Sequence, residues 1–223
     1  MITKDFFTNP KCLILIQGSG SARLGQWARS VCINENLYLG TMGPYIEKAK
    51  KNNLSVIILN PNERYDFLNE NKIIKEFDTM QNHCLYVYKN IIKRNHNIKE
   101  VYIVAHSKGG ECAIELLINN KEDLLNGRIK KIAFTDSSHG YEYFKLDNDG
   151  LQIFWRISRD YITSTKKVGT FLKSHNDTDK GVNLFSSGYN KHEYTSGYAI
   201  NEIFKFFFEE NKLKVMGSVK SKK

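Results

Sequence analysis

The sequence has little cysteine, no long apolar run and no internal repeat, and each absence narrows what the chain can be. Its four cysteines, Cys12, Cys32, Cys84 and Cys112, stand singly, with no Cys-x-x-Cys pair. That argues against a zinc site and fits reduced thiols in a cytosolic or nuclear protein. The longest apolar runs, such as residues 13–16, are far too short to span a bilayer. The opening Met-Ile-Thr-Lys-Asp-Phe-Phe has no cationic stretch ahead of a long apolar core, so it does not read as a secretory leader. The expected location is the nucleus, the cytoplasm or both. Neither a cofactor nor a metal is expected. No repeat or low-complexity block interrupts the chain.

What is there is enough for one core. With 223 residues, 41% of them hydrophobic, the chain exceeds a minimal domain and falls short of two ordinary ones. The reading is a lead-in over 1–11, a single domain over 12–210 and a basic tail over 211–223. Lysine and arginine number 33 against 24 acidic residues, a net charge of +9. An anionic partner such as nucleic acid fits that charge, but no recognition module accompanies it. The lysines are scattered in twos and threes, as on solvated surfaces, and direct nucleic-acid binding ranks below that reading.

The chain is organised around residues 101–117, Val-Tyr-Ile-Val-Ala-His-Ser-Lys-Gly-Gly-Glu-Cys-Ala-Ile-Glu-Leu-Leu. Residues 101–104 form a short apolar run rich in β-branched side chains, as a buried parallel strand should. Ala105 and Gly109 then bracket Ser107, and Ala113, Leu116 and Leu117 recur at helical spacing. Strand, sharp turn with a serine at its tip, helix: this is the nucleophile elbow of the α/β-hydrolase architecture. The first strand, 12–16, runs into Gln17-Gly18-Ser19-Gly20, a glycine-rich turn. Backbone N–H groups at Gly18 or Ser19, with that of Lys108, are the expected oxyanion donors.

Further strands are expected over 55–59, 131–135, 160–165 and 182–185, about six in all. Helices are expected over 23–30, 44–51, 77–91 and 200–208. Alternating strands and helices call for a mostly parallel sheet with helices on both faces, an α/β fold. Ligands in such sheets sit outside the carboxyl ends of the strands. That rule gathers residues 18–20, 60–63, Ser107, 136–139 and 163–165 on one rim and sets His96 on the other. Arg23, Trp27, Asn60, Asn62 and His139 are the candidates for contacting a substrate there.

A serine needs an imidazole to take its proton and a carboxylate to orient that imidazole, in the chain order Ser, acid, His. His106 adjoins Ser107, so its side chain should point elsewhere; His83 sits in a helix before the elbow. His139 shares a loop with Asp136, which leaves His175 and His192. His192 follows the last strand and precedes the closing helix, where that order places the base. Asp136 is favoured as the acid because a strand end fixes a carboxylate better than the loop holding Asp177 and Asp179.

Seven blocks then carry a family resemblance. They are Leu-Ile-Leu-Ile-Gln-Gly-Ser-Gly, Gly-Gln-Trp-Ala-Arg, Ile-Asn-Glu (33–35), Val-Ile-Ile-Leu-Asn-Pro-Asn-Glu, Val-Ala-His-Ser-Lys-Gly-Gly, Phe-Thr-Asp-Ser-Ser-His and Lys-His-Glu-Tyr-Thr-Ser. In this order, from about Leu13 to Phe208, they resemble the signature blocks of the Arb-two (Argonaute-binding protein two) domain family. That family includes the one-seven-two family of sequence-similarity proteins. The resemblance implies an α/β-hydrolase-like domain with Ser107, Asp136 and His192 at matching positions. It also implies association with Argonaute, chromatin or splicing proteins in RNA silencing, heterochromatin assembly or cotranscriptional RNA processing. Gln17 departs from the histidine common in relatives, and a long charged insertion after the Asn-Pro-Asn-Glu block is lacking. Two functions follow: an adaptor of that machinery, ranked first, or a working serine hydrolase acting on an ester, thioester or acylated protein.

Overall fold

The computed structural model describes residues 1–66, 69–140 and 145–209. The elements run β1 (Lys11–Ile16), α1 (Arg29–Asn34), α2 (Leu37–Gly40), α3 (Gly43–Lys51), β2 (Ser55–Ile58), β3 (Tyr65–Asp66), β4 (Asn69–Ile73) and α4 (Met80–Val87). Then come β5 (Glu100–His106), α5 (Gly109–Asn119), α6 (Lys121–Leu125), β6 (Ile129–Thr135), α7 (Asn148–Ile157), β7 (Ser158–Ile162), β8 (Phe171–Lys173), β9 (Leu184–Ser186) and α8 (Thr195–Phe208).

Seven strands form one sheet in the order β2-β1-β5-β6-β7-β9-β8. All its pairs are parallel except β8 against β9. β3 and β4 form a separate antiparallel pair. The central strands read as unbroken apolar runs because both faces are covered. In β1 the pleat sends Cys12, Ile14 and Ile16 to the face packed with Cys84, Cys112, Leu116 and Phe154. Leu13 and Leu15 go to the other face, with Tyr45, Ile200, Ile203 and Phe204. α4, α5 and α7 therefore cover one side, and α3 and α8 the other. The lead-in expected over 1–11 packs on the domain: Ile2 bridges to Ile57, and Phe6 is fully buried in the core.

The fold is of the expected α/β class, a mostly parallel sheet with helices on both faces, and it differs from expectation in detail. The segment over 23–28 is a loop, with helix beginning only at Arg29. The long helix expected over 77–91 is three pieces. A 3-10 turn precedes Thr79, Thr79 caps α4 by accepting from the Asn82 N–H, and a π-helical turn (Tyr88–Ile92) follows. The strand expected over 160–165 starts at Ser158 and stops at Ile162; the one over 182–185 is shifted to Leu184–Ser186. The edge strand β8, the β3–β4 pair and α7 were not anticipated. The basic tail over 211–223 lies outside the described residues.

Candidate active site

Parallel strands deliver their carboxyl ends to one rim, and the strand ends β1, β5 and β6 meet there. Three non-glycine residues among those described have positive φ: Asn53, Ser107 (φ 52) and Asp136 (φ 49). Two of the three are the expected nucleophile and acid. A left-handed serine is held only where its surroundings over-determine it. Here the Ser107 N–H donates to Thr135 O (3.2 Å), and Ser107 O accepts from the N–H groups of Gly110 (2.9 Å) and Ser138 (3.2 Å). The elbow and the loop after β6 are thus bonded through the serine's own backbone.

Close approach explains the glycines. A Cβ on Gly109 would lie 2.6 Å from Gln17 O and 2.7 Å from Ile16 O, so α5 could not start so near the end of β1. A Cβ on Gly18 would lie 2.9 Å from Ser107 Cβ, which puts the β1 turn directly against the serine. The backbone N–H groups of Gly18, Ser19 and Lys108 make no hydrogen bond among the described residues, so they are free to donate.

His192 begins a 3-10 turn just before α8. Its carbonyl accepts from Thr195 Oγ1 (2.8 Å), and the start of α8 is tied to β6 by Ser196 Oγ and Thr135 Oγ1 (2.7 Å). The Nδ1–H of His192 donates to Asp136 Oδ2 at 2.7 Å. That bond is the main reason the imidazole's pKa is raised. On the other side, burial pushes the Asp136 carboxyl up, but the hydrogen bond and charge of His192, with Lys180, hold it below its ordinary range. The His192 side chain stays half exposed, with 46% of its surface open. Ser107 Oγ makes no hydrogen bond to His192 among the described residues.

His106, set aside on sequence because of its neighbour, lies beneath His192 with ring centroids 4.7 Å apart. Its Nδ1–H donates to Thr135 O (2.8 Å), and burial, then the proximity of His192, lower its pKa to about 4. It is a neutral platform that packs against His192 without adding charge. Only its position before the serine marked it in the sequence. Lys180 was also missed. Its Nζ donates to Ser137 O (2.5 Å) and pairs with the fully buried Asp160 (3.1 Å), fixing the loop that carries Asp136.

The alternative residues have other partners. His175 stacks on Trp155 at 4.4 Å and bonds Asn183. Asp177 sits in the 3-10 turn with His175, and Asp179 accepts from Thr178. Of the expected substrate contacts, two are corrected. Trp27 is 2% exposed and packs edge-on against Tyr45, so it belongs to the core. His139 is also 2% exposed; it accepts from Ser137 Oγ at Nδ1 (2.6 Å) and donates from Nε2 to Lys180 O (3.1 Å). Its role is to brace the loop. Asn60 accepts from Gln17 Nε2, and Asn62 Nδ2 donates to Gly18 O and Ala22 O, so both prop the glycine turn. Gln17 is fully buried, and its Oε1 has no partner among the described residues. Arg23 is exposed beside that turn.

With this geometry in hand, similarity to known proteins decides the family. The Arb2 domain matches residues 1–168. The chain belongs to the Arb2 domain family. It is 34% identical over 252 residues to "Cotranscriptional regulator ARB2A homolog" of Dictyostelium discoideum, covering 94% of this chain and 62% of that protein. Against the Xenopus tropicalis protein of the same name it is 30% identical, over 92% of this chain and 60% of that one. A shorter match, 41% identical over 138 residues (61% of this chain, 41% of that protein), is to "FAM172 family protein homolog Y75B8A.31" of Caenorhabditis elegans. This Arb2-family chain thus spans about three fifths of the two longer-matched relatives. Among solved structures, it is similar to a lipase-esterase related protein from Clostridium acetobutylicum at 14% identity, covering 66% of this chain and 49% of that one (TM-score 0.35).

Proposed function

We propose that this Arb2-family protein acts in cotranscriptional regulation, as the names of its relatives say of them, and that its rim site is a serine acyl-hydrolase centre. In this reading Ser107 is the nucleophile, His192 the general base, and Asp136 the carboxylate that orients and stabilises the imidazolium. Gly18 or Ser19 and Lys108 supply oxyanion N–H groups. The attack would transfer the Ser107 proton to His192 Nε2 and form an acyl-serine on release of an alcohol, thiol or amine. Water activated by the same imidazole would then free the acid. The observation that carries the site is the 2.7 Å His192–Asp136 hydrogen bond set beside a serine held at φ 52.

A second reading is an adaptor with a silent pocket, binding Argonaute, chromatin or splicing proteins in the nucleus. The lack of a hydrogen bond from Ser107 Oγ to His192 among the described residues favours it, as do relatives named for regulation rather than for an activity. Complementation of a null strain with Ser107→Ala separates the two. Loss of function at normal abundance and normal partner recovery supports the hydrolase. Full rescue makes the chain an adaptor.

A further inference from the structure

A cavity of about 450 Å³ opens beside the elbow, lined by Ser19 and Gly20 of the glycine turn and by Lys108 of the elbow. A substrate whose carbonyl sits at Ser107 therefore has this cavity next to it for the part that does not react. The size suits a small-molecule site, but the lining does not suit a fatty chain. Among the described residues Met80 is its one aliphatic side chain, and that residue is 8% exposed. The other described lining residues are polar or glycine: Asn62, Thr79 and Gln81 accompany two cations, Arg64 and Lys108, and no carboxylate side chain is among them.

Neither cation is neutralised among the described residues. Among the described residues Arg64 makes a single hydrogen bond, from Nη1 to the backbone carbonyl of Asp78 (3.3 Å), and no ion pair; Lys108 makes no ion pair either. The Asp78 carboxylate turns instead to Asn82 Nδ2 (2.7 Å). Both residues are exposed, and two cations lining one concave wall with no counter-charge among the described residues give it a positive potential that favours an anion. A guanidinium fork also matches the paired oxygens of a phosphate or carboxylate.

We propose that this cavity binds an anionic group carried by the substrate, so that the site acts on small esters or thioesters bearing a phosphate or carboxylate away from the scissile carbonyl. The inference rests on the hydrolase reading for the word substrate, but the binding itself does not depend on turnover.

The test has a binding arm and a reaction arm. Calorimetry with phenyl phosphate and with phenylacetate, on wild type, Arg64→Gln and Arg64→Lys, reads the cavity alone. Binding of either anion that weakens about tenfold or more in Arg64→Gln and is largely kept in Arg64→Lys supports the proposal. Whichever anion binds identifies the group. The reaction arm follows modification of Ser107 by a neutral fluorophosphonate: the bound anion should slow it in wild type and fail to slow it in Arg64→Gln. If Ser107 never reacts but Arg64-dependent anion binding persists, the cavity proposal stands and the hydrolase reading falls. Absence of anion binding, or binding unchanged in Arg64→Gln, overturns the cavity proposal whatever Ser107 does.

Discussion

At the scale of single residues, the proposed chemistry turns on the His192–Asp136 bond. The proposed base works only when neutral, and Asp136 raises its pKa above the ordinary histidine value. Modification of Ser107 should therefore slow as pH falls through that raised value. Asp136→Asn removes the cause, so the midpoint should move down, and the plateau rate should drop about 10⁴-fold, as when a triad carboxylate is neutralised. Changing Asp177 and Asp179 together should leave rate and midpoint unaltered. A rate-against-pH profile of the three proteins reads both effects; a normal profile for Asp136→Asn would return the acid to the later loop. Ser107, Asp136 and His192 were legible as candidates because chain order and strand ends constrain them. His106 and Lys180 were not. One works by stacking and the other by reaching Ser137 and Asp160, contacts between segments distant in sequence.

At the scale of elements, the elbow works by proximity. α5 can begin beside β1 only with hydrogen at Gly109, since a Cβ there meets two backbone carbonyls that cannot move independently of the sheet. Gly109→Ala should cost about 2 kcal/mol or more, in the range of overpacking, and should displace Ser107 as well. Urea unfolding with circular dichroism checks the first effect. Gly109→Ala with wild-type stability would mean that the β1 turn yields more easily than its bonding suggests. Elements whose apolar residues pack on the sheet were readable in the sequence: β1, β5, β6, α5 and α8. The π-helical turn was not, because Ile91 continues the apolar spacing of α4 while the backbone has already widened. β8 is three residues at a sheet edge, too short for a period to show. α7 carried a signal that went unread: Asp147 caps it, and Leu151, Phe154 and Trp155 stand at helical spacing.

At the scale of the whole molecule, buried histidines set its response to acid. Burial lowers His106 and His83 to about 4, and burial with Lys180 lowers His139 to about 3. The unfolded chain protonates these rings near pH 6.5, but the folded chain does so only well below it. Their contribution is thus complete above pH 6.5 and is lost as pH falls towards 4. For His106 the loss is on the order of 3 kcal/mol, at about 1.4 kcal/mol per pH unit. Asp136, held low, loses its contribution in the same direction at lower pH. Asp160, raised by burial, works the other way, since protonation relieves it. The net expectation is a melting temperature that falls steeply between pH 6.5 and 4.5, and less steeply in His139→Gln. Equal melting temperatures across that range would contradict the buried, neutral assignment.

The central claim is that the rim holds an assembled nucleophile, and one measurement meets it directly. The full chain is treated with a fluorophosphonate at neutral pH, and the adduct is located by peptide mass spectrometry in wild type and His192→Ala. The account predicts one adduct, on Ser107, formed orders of magnitude more slowly without His192. No adduct, an adduct on another serine, or one that forms as fast in His192→Ala would contradict it.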